Sequence, residues 1–206
     1  MRLRSRRGRS EIARPARPRT SRRPARSRDS PTAWRERLQR LARMNALDPE
    51  PLLRFLHEHG VEHILIGGVA VAAHGYPRPS QDLDLVPAAD AANLRRLARA
   101  LQQLNARPTD LSDFAAEEVP ADATSAEDLA RGGNFRLDTD LGALDVMQWI
   151  SGIDADDLYS ELDREALTFS LAGVPVRYCS LGHLRAMKRA AGRPRDLDDL
   201  EHLPDL

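Results

Sequence analysis

The charges of this 206-residue chain are segregated, and that segregation bounds how much of it can fold. Residues 1–43 hold sixteen arginines against three acids, a net +13, while residues 44–206 hold fifteen basic against twenty-eight acidic residues, a net −13. A formal charge of zero therefore hides two physically different parts. The first part is Arg, Pro and Ser with almost nothing to bury, so a disordered arm is expected there. Its prolines break any amphipathic helix, and it lacks the apolar segment of a secretory signal. Two readings of the arm stand: a nucleic-acid-binding element acting through phosphate contacts, or a stretch that is not translated, with Met44 opening the compact domain. The folded part is then 44–206, with residues 180–206 as its C-terminal helical portion.

No apolar run approaches the roughly 20 residues needed to span a bilayer, so no membrane role is expected. The single cysteine, Cys179, allows no internal disulfide and fits a reducing compartment, which makes a cytoplasmic protein the expectation. Thirty of the thirty-one basic residues are arginine. The one lysine, Lys188, stands out as a position where a guanidinium does not replace an ammonium, with chance survival as the plain alternative.

Along the acidic part, Asp48 can cap a helix over 49–59 that Gly60 ends. Residues 62–66 read as a buried strand, followed by the turn Gly67-Gly68 and a short helix from Val69 to His74. Two prolines make 76–81 a loop, and Asp-Leu-Asp-Leu-Val at 82–86 alternates as a strand does. Leu94, Leu97, Leu101 and Leu104 line one side of a helix over 90–105. The stretch 108–131 is acidic and poor in large apolar residues, with a short helix near 125–131. Strands are expected at 134–138 and 143–149, a helix at 155–163, a hairpin at 166–171 and 174–178, and helices over 181–191 and from Pro194. That order defines an α/β (α+β) domain with a mixed sheet flanked by helices.

Asp82 and Asp84, two apart on a strand, leave the same face, and Leu83 and Leu85 leave the other towards the core. Adjacent carboxylates repel unless a hard divalent cation sits between them, and Mg2+ takes oxygen ligands while bridging substrate phosphates. Two exposed acids on a strand edge are the bland alternative. A glycine turn between a strand and a helix lets a phosphate approach the backbone, though it also serves as a plain tight turn. A two-metal site for phosphoryl-group chemistry wants a third carboxylate. Asp145 is the best candidate, because it interrupts the apolar strand Ala-Leu-Asp-Val-Met where a charge is otherwise costly. It can share the site if its strand lies beside 82–86. Asp138 and Asp140 read as solvated turn residues.

The stretch Ile-Gly-Gly-Val-Ala-Val-Ala-Ala-His-Gly-Tyr-Pro-Arg-Pro-Ser-Gln-Asp-Leu-Asp-Leu-Val resembles the nucleotidyltransferase superfamily of the DNA polymerase β type. Within it the chain looks most like the small AbiEii and MenT-like branch, often the toxin half of toxin–antitoxin pairs. Gly67, Gly68, Asp82, Asp84 and Asp145 match the glycine pair, the Asp-x-Asp and the later Asp of that pattern. Lys188, Arg195 and Asp196 match its C-terminal lysine and Arg-Asp pair, and Ser80 stands where a threonine is common. The resemblance spans about 62–200 and leaves the basic arm unexplained. It implies a polymerase-β-like fold and transfer of a nucleoside monophosphate from an NTP to an acceptor hydroxyl, with release of pyrophosphate. Asp82, Asp84 and Asp145 would be catalytic and hold two Mg2+ ions, with Mn2+ as an alternative. Gly67, Gly68, Ser80, Lys188 and Asp196 would bind the nucleotide. The implied partners are an NTP, an acceptor that is RNA (particularly the tRNA 3′ end) or a small molecule, and an antitoxin protein.

Lys188 would meet the triphosphate as a point charge, or else lie solvated on a helix surface; on either view Lys188→Arg would barely change stability. Arg78 reads as a solvated loop residue, His74 as packed and Trp149 as core. Arg185, Arg189, Arg193 and Arg195 are the candidates for a basic strip that could offset the −13 charge of 44–206. A sugar-nucleotide transferase using Asp-x-Asp is an enzymatic rival that needs neither the glycine turn nor Asp145. An inactive member of the same fold, acting as a partner- or RNA-binding module, is the non-enzymatic one.

Overall fold

The computed structural model describes residues 47–109 and 121–205. The basic arm at 1–43 and the middle of the acidic stretch at 108–131 lie outside the described residues.

Asp48 accepts the N–H of Glu50 and starts helix α1 (Pro49–Glu58), whose leucines Leu52, Leu53 and Leu56 are buried. Strand β1 (His63–Leu65) leads into helix α2 (Gly67–Ala73), and the 76–81 loop leads into β2 (Asp82–Pro87). Asp90 caps α3 (Ala91–Gln103), and every leucine expected on its apolar side is buried. A two-residue strand β3 (Arg107–Pro108) follows, then α4 (Ala126–Ala130), β4 (Asn134–Thr139) and β5 (Gly142–Met147). The chain continues as α5 (Leu158–Asp163), the hairpin β6 (Leu167–Leu171) and β7 (Val174–Tyr178), α6 (Leu181–Ala191) and α7 (Pro194–His202). Positive φ at both Ala172 and Gly173 gives that hairpin the two-residue turn whose twist suits antiparallel strands.

The strands form one seven-stranded mixed sheet in the order β3-β4-β5-β2-β1-β7-β6. β2 is antiparallel to β1 and parallel to β5. Its inner residues Leu83 and Leu85, together with Leu144 and Val146 of β5, are fully buried and anchor the centre of the sheet. Asn93 fastens α3 to the sheet: its amide group donates to the carbonyls of Glu62 and Ala88, and its oxygen accepts the N–H of Glu62. Among the described residues no helix is long and apolar enough to cross a membrane.

Three expectations need correction. The glycine pair does not precede α2 but opens it, with Ile66 as N-cap, because Gly67 takes φ +60 and lets the chain turn directly off the strand. Strand β3 went unforeseen; two exposed residues give no alternation to read, and pairing with Asp138 and Leu137 of β4 creates the strand. Trp149 is not core: 68% of it is exposed, beyond the end of β5, with its backbone held by Asn134.

Candidate active site

Parallel pairing of β2 with β5 sets Asp82 opposite Ala143 and Asp84 opposite Asp145. Residues in register on neighbouring strands project from the same face, so Asp82, Asp84 and Asp145 converge. One carboxylate oxygen from each lies within 4.8 Å of the others. All three are half-buried. Asp145, conspicuous as the charge within its own apolar strand, joins the site because two strands separated by more than fifty residues in sequence pair in parallel.

The electrostatics follow from crowding like charges in a shielded place. Burial, then the charges of Asp82 and Asp145, push Asp84 up to about 7, while Lys188 and the N–H of Gly68 pull the other way. Burial and Asp82 push Asp145 up to about 6, with Arg136 opposing. Arg136 stands opposite Asp145 on β4, its Nε 3.8 Å from Asp145 Oδ2.

The glycine pair is required by these neighbours. A Cβ at Gly67 would lie 1.9 Å from Asp84 Oδ2, and one at Gly68 would lie 2.3 Å from Ser80 Oγ. The Gly68 N–H donates to the Asp84 carboxylate, so the start of α2 holds the acid in place. Ser80 is buried and its hydroxyl donates to Asp82 Oδ1 at 3.1 Å. The sequence pattern Gly67-Gly68 … Ser80-x-Asp82-x-Asp84 is thus one interlocked unit.

Behind it runs a chain of alternating charges. Lys188 is not a surface cation: it is buried, with Nζ 2.7 Å from Asp196 Oδ1 and 2.9 Å from Asp199 Oδ2. Asp199 also receives Arg78 through two nitrogens, Nε to Oδ1 and Nη2 to Oδ2, the latter at 2.7 Å. Arg78, expected to be solvated, is thereby locked, its side chain only 10% exposed. Asp196 takes a second partner in Arg193, Nε to Oδ2 at 2.6 Å. Burial tends to raise the pKa of Asp196 and Asp199, but hydrogen bonds from Arg193, Arg78 and Lys188 outweigh it and hold both carboxyls below the ordinary range. Asp199, fully buried, was not singled out from the sequence. Its signal was available in the run Arg-Asp-Leu-Asp-Asp-Leu, where Asp196 and Asp199 fall three apart on one helix face.

The rest is placed as follows. His74 is packed as expected, with Nε2 2.9 Å from the Cys179 carbonyl and its ring edge-on to Tyr178. Arg195 donates to the Pro79 carbonyl. Arg185 donates to the carbonyls of Leu200, Leu203 and Pro204 and so caps the end of α7. With Arg193 on Asp196 as well, the supposed basic strip is largely engaged in structural bonds. Asp140 accepts from Asn105 Nδ2 beside the β4–β5 turn.

The fold and site together define an α/β domain whose central strands present three carboxylates that could hold a metal ion. No family model matches the chain, and no curated protein matches it. One similar solved structure is a crystal structure of an antigenic nucleotidyltransferase-like protein from Paracoccidioides brasiliensis. It is 18% identical over 81% of this chain and 72% of that one, with a TM-score of 0.41.

Proposed function

We propose that the chain is a metal-dependent nucleotidyltransferase that moves a nucleoside monophosphate from an NTP to an acceptor hydroxyl. The observation that carries this reading is the convergence of Asp82, Asp84 and Asp145 through the in-register pairing of β2 and β5. An oxygen-only donor set suits a hard divalent cation, and the upward push on Asp84 and Asp145, from burial first and neighbouring carboxylates second, is one that such a cation relieves. Asp82, Asp84 and Asp145 would hold it, with Mg2+ the expected ion and Mn2+ the alternative. When bound, it would neutralise phosphate charge and polarise the reacting phosphoryl oxygens.

The remaining work falls to the chain itself. An acceptor oxygen forms a bond to the α-phosphorus while the α–β bridging bond breaks and pyrophosphate departs. Asp145, on the β4 side of the triad, takes the proton from the acceptor hydroxyl. Ser80 and the start of α2 fix Asp82 and Asp84 so that neither reorganises as charge moves. The nucleotide lies on the side of Gly67, Gly68 and Ser80, where Lys188 and Asp196 support the wall. The acceptor reading is RNA, in particular a tRNA 3′ end, with a small-molecule hydroxyl as the alternative. A toxin role paired with an antitoxin protein extends the same reading and rests on the sequence resemblance.

The test is transfer of α-phosphate label from each of the four NTPs to total RNA, with Mg2+ or Mn2+ and with EDTA. Metal-dependent labelling that is lost in Asp82→Ala supports the proposal. Absence of transfer from every NTP to RNA and to a panel of small hydroxyl acceptors, by folded protein, rejects it.

A further inference from the structure

The buried charge chain behind the triad contains three cations, and they differ in one respect. The side chains of Arg78 and Lys188 are 10% and 8% exposed, whereas that of Arg193 is 69% exposed. Arg78 spends its Nε and Nη2 on Asp199 and its Nη1 on the Pro79 carbonyl. Lys188 lies between two carboxylates at hydrogen-bond distance, which cancel its charge locally. Arg193 has one edge of its guanidinium on Asp196, through Nε at 2.6 Å and Nη2 at 3.4 Å. A guanidinium has five N–H donors, so the Nη1 pair remains directed away from that edge.

Contacts join Arg193 to the edge of the triad: its partner Asp196 shares Lys188 with Asp199, Asp199 holds Arg78, and Arg78 Nη1 lies 3.2 Å from the Cβ position of Gly68. Its position is fixed from behind: Gly192 ends α6 in the left-handed conformation, Pro194 opens α7, and Asp196 accepts the guanidinium three residues on. An arginine held by a carboxylate on one edge and open to solvent on the other is pre-organised to grip a second anion.

We infer that Arg193 is the cation that contacts the polyphosphate of the bound nucleoside triphosphate, with Asp196 and Lys188 as positioning residues that hold it. This rests on the nucleotidyltransferase reading of the same site. It moves the phosphate contact from Lys188, where the sequence placed it, to a residue that the sequence offered only as part of a general basic strip. Charge complementarity gives the ligand class: a polyanion neutralised partly by the cation at the triad and partly by an arginine at its margin.

The experiment measures binding of inorganic tripolyphosphate and of a non-hydrolysable NTP to the full chain in Mg2+, by calorimetry. Arg193→Gln, Arg193→Lys and the control Arg189→Gln are compared with wild type, and a melting curve accompanies each. Arg189 is an exposed arginine in the last turn of α6, with no role in the site. The expected result is that Arg193→Gln weakens both ligands by about tenfold or more, Arg193→Lys less so, and Arg189→Gln not at all, with melting temperatures unchanged. Equal binding by Arg193→Gln and wild type overturns the inference, as does equal weakening by Arg189→Gln, which marks general charge alone. Failure of the wild type to bind either ligand rejects the nucleotidyltransferase reading itself and is thereby distinguished from failure of Arg193.

Discussion

Asp84 and Asp145 are paired across parallel strands, their Cα atoms in register, although Asp145 is the one charge in its strand and Asp84 shares its own only with Asp82. Two carboxylates placed in that way oppose folding, through their burial and their repulsion. The pairing is the feature of this sheet that could hold a cation.

Removing one charge should therefore help the metal-free fold while ending function. Asp84→Asn keeps the shape of the side chain and abolishes its charge. In EDTA at pH 8 its melting temperature should equal or exceed that of wild type, and nucleotidyl transfer should fall below detection. A variant that keeps full transfer would remove Asp84 from the metal site.

The same charges set a pH dependence. Asp84 and Asp145 are raised from 3.8 to about 7 and about 6, so between those values the folded chain holds protons that the unfolded chain has lost. Stability of the metal-free protein then falls as pH rises from about 4 to about 7, by at most about 1.4 kcal/mol per pH unit for each proton, and levels off above. Asp196 and Asp199 are held low, so their contribution is lost only as pH falls below about 4 and does not mask the trend. Chemical denaturation at pH 5 and pH 8 in EDTA reads the slope. Mg2+ should flatten it, and Asp84→Asn should reduce it without metal.

Lys188 now carries a different expectation from the one its sequence supports. A surface lysine would tolerate arginine, but this one is buried between Asp196 and Asp199. The planar guanidinium is longer and cannot occupy a site cut for a compact ammonium. Lys188→Arg should lose roughly 1–3 kcal/mol of stability and at least about tenfold in transfer rate. Lys188→Ala, which leaves two buried carboxylates short of a partner, should cost roughly 3–5 kcal/mol. Urea denaturation beside steady-state kinetics measures both, and a wild-type urea midpoint in the arginine variant would contradict the burial.

At Gly67 two independent constraints coincide, a backbone φ of +60 and a Cβ position 1.9 Å from Asp84 Oδ2. Gly67→Ala should lose at least about 1 kcal/mol and displace the acid it presses on, so transfer should fall further than stability alone explains. Comparing Gly67→Ala with Gly75→Ala separates the two constraints. Gly75 has φ +110 with no atom within 4 Å of its Cβ position, so its alanine variant carries backbone strain alone and should retain transfer.

Much of this was legible in the residues. Alternation at 82–86, leucine spacing along α3, the Ala172-Gly173 turn and Gly192 at the end of α6 each report a local preference, and local preferences survive folding. The acids were legible for a related reason, since a charge within an apolar strand is conspicuous wherever it lies. What remained hidden depends on partners distant in sequence. Arg78 reads as solvated until Asp199 arrives from 121 residues away, and Lys188 reads as exposed until two carboxylates of the next helix close over it. Trp149 misleads in the opposite sense: its size suggests the core, but the strand ends before it and, among the described residues, no neighbour covers most of it.

The Arg78–Asp199 link also has a temporal meaning. The loop that delivers Asp82 has its firmest anchor in a helix made 121 residues later, so during synthesis the strands bearing the acids exist well before the loop beside them is secured. A nascent chain that has already paired β2 with β5 would hold its three carboxylates without the ion pairs of Arg78 and Lys188 behind them. Translation itself would thus set the order of assembly, with the acids paired first and the charges behind them joined only once α7 has left the ribosome and docked.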